Sequence, residues 1–224
     1  MKIINVGLPK TGTTTLHLFL SKFFNSTHHC RNKTLKMKNN LEKGENIYEG
    51  INYECDCQPD FVIGDFCFFP QIINLEDIIS ANKESKFVLT MRENEFRWLK
   101  SIKYTQKYCK LYYRILNNIQ KIPFLNEEYK NLTKDVDILN DNVLKEIYDY
   151  SLLKFYISYI NYVKKTFKKH NIELFELNID SKNTEQDNAK FKNFIKDSVK
   201  NKDLLKEQNL FSIHANKSNF VLSK

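Results

Sequence analysis

Near its amino terminus the chain reads KIINVGLPKTGTTTLHLFL, and the stretch GLPKTGTT within it brackets a lysine between Gly7 and Gly12 and follows with a run of threonines. A strand, a glycine-bracketed turn and a helix start make a cradle for a phosphate or a related anion, because backbone N–H groups and the positive helix end converge there. The stretch satisfies the pattern G-x-x-x-x-G-K-[ST] at every fixed position except one. Thr13 stands where the lysine belongs, and the cation comes earlier, as Lys10. In the triphosphate version of this loop the lysine reaches the outer phosphates and the neighbouring hydroxyl holds magnesium. A lysine moved into the middle of the loop meets a different part of the ligand. The N–H groups of Thr11, Gly12, Thr13, Thr14 and Thr15 are expected to face a phosphate, with Gly12 allowing close backbone approach.

Such a loop needs a sheet behind it, and strand-length apolar segments recur along the chain. They run over 2–7, more weakly over 46–51, then over 60–65, 86–92 and 171–179, with helical apolar patterns between most of them. This alternation predicts an α/β fold: a three-layer P-loop-type architecture with a central, mostly parallel sheet of about five strands and helices on both faces. In such sheets ligands bind beyond the carboxyl ends of the strands. Residues 94–170 are mostly helical in pattern and rich in tyrosine, as in YTQKYCKLYYRIL and YDYSLLKFYISYINYVKKTF. They exceed one crossover in length and are expected to be a helical insertion that packs over the sheet, its tyrosines serving chiefly as amphipathic core and rim. Residues 1–224 are expected to form one domain.

The 224 residues suffice for one domain with a substantial core, and 42% hydrophobic with 13% aromatic content excludes a disordered chain. A formal charge of +8 favours anionic partners, but lysines and acids interleave in segments such as NFIKDSVKNKDLLK, as on solvated helix faces. Met1 and Lys2 lead straight into the first strand and no apolar run has the length of a membrane span, so a cytoplasmic protein with no membrane partner is expected. Five cysteines are an odd number for a disulfide framework, and the C-x-C spacing of Cys55 and Cys57 does not suit zinc, so no metal is expected.

The segment PKTGTT, Pro9 to Thr14, resembles the phosphosulfate-binding loop of the sulfotransferases that use 3'-phosphoadenosine 5'-phosphosulfate (PAPS). The resemblance implies a transfer of a sulfuryl group from PAPS to a hydroxyl or amine, leaving adenosine 3',5'-bisphosphate (PAP). It gives Lys10 the bridging oxygen and the leaving phosphate. A second segment, KFVLTMRENEFRWLKS, is similar to the family's strand-turn-helix element and implies that Arg92 and Ser101 hold the 3'-phosphate. Here Arg-Glu-Asn replaces the usual Arg-Asp-Pro, and the interval to the serine is one residue longer. A third segment, FSIHANKSNF, resembles the closing basic loop of several branches and implies Lys217 and Ser218 as further cofactor ligands. Family members use a histidine, glutamate or aspartate at a central strand end as base. In DFVIGDFCFFP the matching residue is Asp65, whose phenylalanine neighbours would raise its pKa; its alternative role is to cap a helix starting near Pro70.

The acceptor is expected to be a small molecule or a saccharide. Two other readings stay open. A small P-loop kinase or nucleotide hydrolase would want a lysine at position 13 and an acidic magnesium ligand. A basic nucleic-acid module would want clustered cations with stacking aromatics, and no nucleic-acid motif is present.

Overall fold

The computed structural model describes residues 1–57, 59, 61–63, 66–103 and 141–213, and for 61–67 and 141–148 the backbone alone. Five strands form an all-parallel sheet: β1 (Ile3–Asn5), β2 (Ser26–Thr27), β3 (Cys55–Asp56), β6 (Lys86–Met91) and β7 (Leu174–Asn178), in the order β2-β3-β1-β6-β7. The fold is α/β with the P-loop strand in the middle, as expected from the alternation.

Period-two burial sorts the strand residues into two cores. Ile4, Phe87 and Leu89 face one side, where they meet α4 (Leu75–Ala81), α5 (Glu95–Lys103) and α6 (Asp141–His170) through Ile78, Trp98, Phe155, Tyr159 and Phe167. Ile3 and Val88 face the other, against α1 (Thr13–Leu20) and α7 (Thr184–Ile195) through Leu16, Phe19, Phe191 and Ile195. Side chains one residue apart on β1 and β6 thereby clamp a helix layer on each face.

Two of the five expected strands lie elsewhere. Residues 46–51 are a turn, closed by Tyr48 N–H donating to Asn46 Oδ1 at 2.9 Å and Ile51 N–H to Tyr48 O at 3.1 Å. Their apolar character reflects the packing of Ile47, Tyr48 and Ile51 in the first core. Within 60–65, β4 (Phe61–Ile63) pairs antiparallel with β5 (Phe66–Phe68) in a separate hairpin. The true second and third strands, β2 and β3, have two residues each, too short for any periodicity to register.

The remaining described elements are α2 (Arg31–Glu42), α3 (Pro70–Ile73), α8 (Lys202–Glu207) and a short 3-10 turn, Leu210–Ser212. The expected insertion at 94–170 is helical where it is described, in α5 and the 30-residue α6.

Candidate anion-binding site

The loop leaving β1 is held by polar side chains buried inside the sheet. Asn5 is 1% exposed; its Nδ2 donates to Cys57 O at 2.9 Å, while its Oδ1 accepts from Gly7 N at 3.0 Å and from Thr90 N and Oγ1, each at 3.1 Å. Thr90 Oγ1 lies 2.8 Å from Thr11 Oγ1, which donates to Leu8 O at 2.5 Å. One chain of hydrogen bonds thus ties the loop to both strands beside β1. The Thr11 hydroxyl is turned into the core, so its share in anion binding reduces to its backbone.

Lys10 adopts a left-handed backbone, φ 69°, and Gly12 another, φ 94°, from which α1 departs. At a lysine this conformation is disfavoured and persists only where the surroundings enforce it. Packing alone leaves no room for a side chain at either glycine of the loop. A Cβ on Gly12 would stand 2.5 Å from Ile179 Cγ2, and one on Gly7 would stand 2.1 Å from Thr90 Oγ1. The missing side chain at Gly12 thus also makes room for the residue after β7.

Arg92, just past the end of β6, meets this loop. Its Nε donates to Lys10 O at 2.9 Å, NH1 to Asp180 Oδ1 at 2.8 Å, and NH2 reaches Ser101 Oγ at 3.5 Å. Its backbone N–H donates to the Tyr156 hydroxyl at 2.9 Å. The longer arginine-to-serine interval therefore still brings the two side chains together, because Ser101 rides on α5 and faces back to the strand end. Burial and then the Arg92 guanidinium hold the Lys10 ammonium below the usual lysine range. Two cations side by side at a helix start, with hydroxyl donors around them, suit a ligand carrying more than one negative charge.

On the other flank His28 follows β2. Its Nε2 lies 3.0 Å from Thr13 Oγ1 and 3.4 Å from Thr14 Oγ1. His17 stacks on it with ring centroids 5.5 Å apart, and His17 Nδ1 is 2.9 Å from Ser26 Oγ. Burial lowers the His17 pKa.

The structure thus gathers Lys10, Thr11, Gly12, Thr13, Thr14, Arg92 and Ser101 at adjoining strand ends, with Thr15 one residue along α1. Asp65, Lys217 and Ser218 lie outside the described residues. The strand on which Asp65 was placed belongs to the hairpin and not to the parallel sheet, so the positional reason for choosing it does not hold.

Sequence reasoning missed Asp180, Asn5 and Thr90, and ranked His28, as a loop histidine, below Asp65. Asn5 and Thr90 carried a signal, each a polar residue inside an apolar strand run. Asp180 follows the last strand, where a search of strand ends would reach it. His28 gave no positional signal, since β2 is invisible in the sequence. Among the described residues no three metal-ligating side chains cluster, no helix is long and apolar enough to cross a membrane, and Cys30, Cys55 and Cys57 carry free thiols.

A protein-family model described as a sulfotransferase domain matches residues 2–182, a span that includes the loop, Arg92, Ser101 and Asp180. No match is found among curated proteins.

Proposed function

The chain belongs to the sulfotransferase family, whose members transfer sulfuryl groups, and from that premise we propose that it draws the group from PAPS and passes it to a hydroxyl or amine on a small molecule or saccharide in the cytoplasm. The observation that supports this reading is the 2.9 Å bond from Arg92 Nε to Lys10 O, with Ser101 beside the same guanidinium. It joins the residue suited to the transferred end of the donor to the pair suited to its 3'-phosphate.

The donor supplies a sulfuryl group on a phosphate leaving group. Lys10 offers positive charge to the leaving oxygen, assisted by the first-turn N–H groups and positive end of α1. Arg92 and Ser101 anchor the second phosphate, the planar guanidinium being held in orientation by Asp180 on one edge and the Lys10 carbonyl on another. Lys217 and Ser218 close over the same phosphate in this proposal. For the acceptor's proton the geometry favours His28, whose Nε2 lies on the Thr13 and Thr14 hydroxyls. Asp65 is the competing base, and the contrast of His28→Gln with Asp65→Asn in single-turnover transfer decides between them.

Thermal-shift assays with PAP, with ATP plus magnesium and with single-stranded DNA test the donor. Stabilisation by PAP is expected; stabilisation by ATP with magnesium and none by PAP returns the chain to the kinase reading. Labelled PAPS with pooled acceptors then identifies the acceptor class.

A further inference from the structure

A loop that binds an anion through its amides must keep its own carbonyl oxygens away, because each one facing the ligand would repel it. Four of the five carbonyls from Val6 to Lys10 are held by side-chain donors. Tyr159 OH donates to Val6 O at 2.5 Å, Thr11 Oγ1 to Leu8 O at 2.5 Å, Trp98 Nε1 to Pro9 O at 3.0 Å and Arg92 Nε to Lys10 O at 2.9 Å. Tyr159 and Trp98 are fully buried, and both belong to the core that also contains Val6 and Leu8. The Val6 and Pro9 carbonyls are therefore drawn inward, to the helix layer made by α5 and α6.

These aromatic residues are also joined to one another. Trp98 stacks on Tyr156 at 4.9 Å between centroids, Phe155 stacks on Tyr159 at 6.3 Å, and the Tyr156 hydroxyl accepts the Arg92 amide at 2.9 Å. The tyrosine-rich helix thus has a task that amphipathic packing leaves unexplained: its hydroxyls reach the two strand ends from which Lys10 and Arg92 project. A phenylalanine at 159 would fill nearly the same volume and lose the hydroxyl, with its bond to Val6 O and its longer contact to Gln71 O at 3.3 Å.

We propose that Tyr159, together with Trp98, is a positioning residue of the anion loop, holding the Val6 and Pro9 carbonyls on the core side so that the loop presents amides to a bound phosphate. The inference rests on the reading of this loop as the donor site. It assigns α6 a part in donor affinity without contact between Tyr159 and the donor.

The test is calorimetric titration of the full chain with PAP, well below the melting temperature, alongside the melting temperature itself. Tyr159→Phe and Trp98→Phe are compared with Ile195→Val, a core substitution against the opposite face of the sheet. A rise of tenfold or more in the PAP Kd for both aromatic variants, with Ile195→Val unchanged in Kd, is the expected result. Lowered melting temperatures with wild-type Kd values in both would overturn the proposal, since a purely structural role moves stability alone. If Tyr159→Phe does not fold, Trp98→Phe decides by the same pair of measurements. Absence of PAP binding by the wild-type chain overturns the donor reading and this inference with it, whereas tight wild-type binding with unaffected variants sinks the inference alone.

Discussion

Lys33 and Lys10 are both withdrawn from solvent, and their surroundings are opposite. Lys33 Nζ lies 2.5 Å from Asp56 Oδ1, with side chains 0% and 3% exposed, and Tyr48 OH donates to the second oxygen of the same carboxylate at 2.8 Å. Burial and the Asp56 charge push the Tyr48 pKa up, so its hydroxyl remains a donor. Lys10 is half-buried, and burial followed by the nearby Arg92 guanidinium lowers its pKa. The first arrangement is electrostatically closed and holds α2 to β3. The second lies at the candidate anion site, where the Lys10 carbonyl and Asp180 share the Arg92 guanidinium. One lysine is tied into the fold, and the other is the one we propose for the ligand.

Breaking the closed arrangement should have the largest effect. Lys33→Met strands the Asp56 carboxylate in the core and is expected to cost about 3–5 kcal/mol in urea unfolding, while the folded fraction keeps its PAP affinity. A cost under about 1 kcal/mol would erase the contrast.

The open arrangement should respond the other way. Lys10→Met is expected to reduce sulfuryl transfer by about 100- to 1000-fold while leaving the melting temperature unchanged or higher, because it removes a desolvated charge beside another. A fall in stability comparable to that of Lys33→Met would show that Lys10 is structural too. Next in size, Arg92→Ala should weaken PAP by roughly 10- to 100-fold in calorimetry, the worth of a charged hydrogen-bonded pair. An unchanged Kd would remove Arg92 from the site.

A surface pair supplies the lower bound. Glu76 meets Lys169 at 3.0 Å and also His170. Burial pushes its carboxyl up, but the bonds from Lys169 and His170 outweigh that and hold it below the usual carboxylate range. A carboxyl lowered on folding stabilises above its unfolded pKa, and the benefit disappears as pH falls through the folded value. Glu76→Gln should therefore cost under about 1 kcal/mol at neutral pH, and the difference from wild type should vanish in acid-side urea titrations. A difference that persisted in acid would assign the effect to packing.

The contrast between the two lysines was half legible in the sequence. Lys10 announced itself because a glycine-bracketed loop and threonines surround it within a few residues, and Arg92 because five apolar or β-favouring residues, Phe87 to Met91, precede it. Lys33 did not, since Asp56 and Tyr48 lie far along the chain and β3 is too short to mark. The three long strands showed their apolar runs, while β2 and β3 draw their stability from pairing in the sheet rather than from local propensity. The same non-locality hid Asp180, His28 and the aromatic donors, whose partners are backbone carbonyls and hydroxyls supplied by the fold. A carbonyl has no residue type to read.

The contact between Gly12 and Ile179 has a consequence in time. The left-handed corner at the head of α1 closes against a residue that follows β7 in the chain, and β7 is held in place by its pairing with β6. A nascent chain that has emerged only as far as the first helix holds every residue of the loop and lacks its mould. The loop's final geometry therefore depends on the last strand of the sheet, far along the chain from the loop itself.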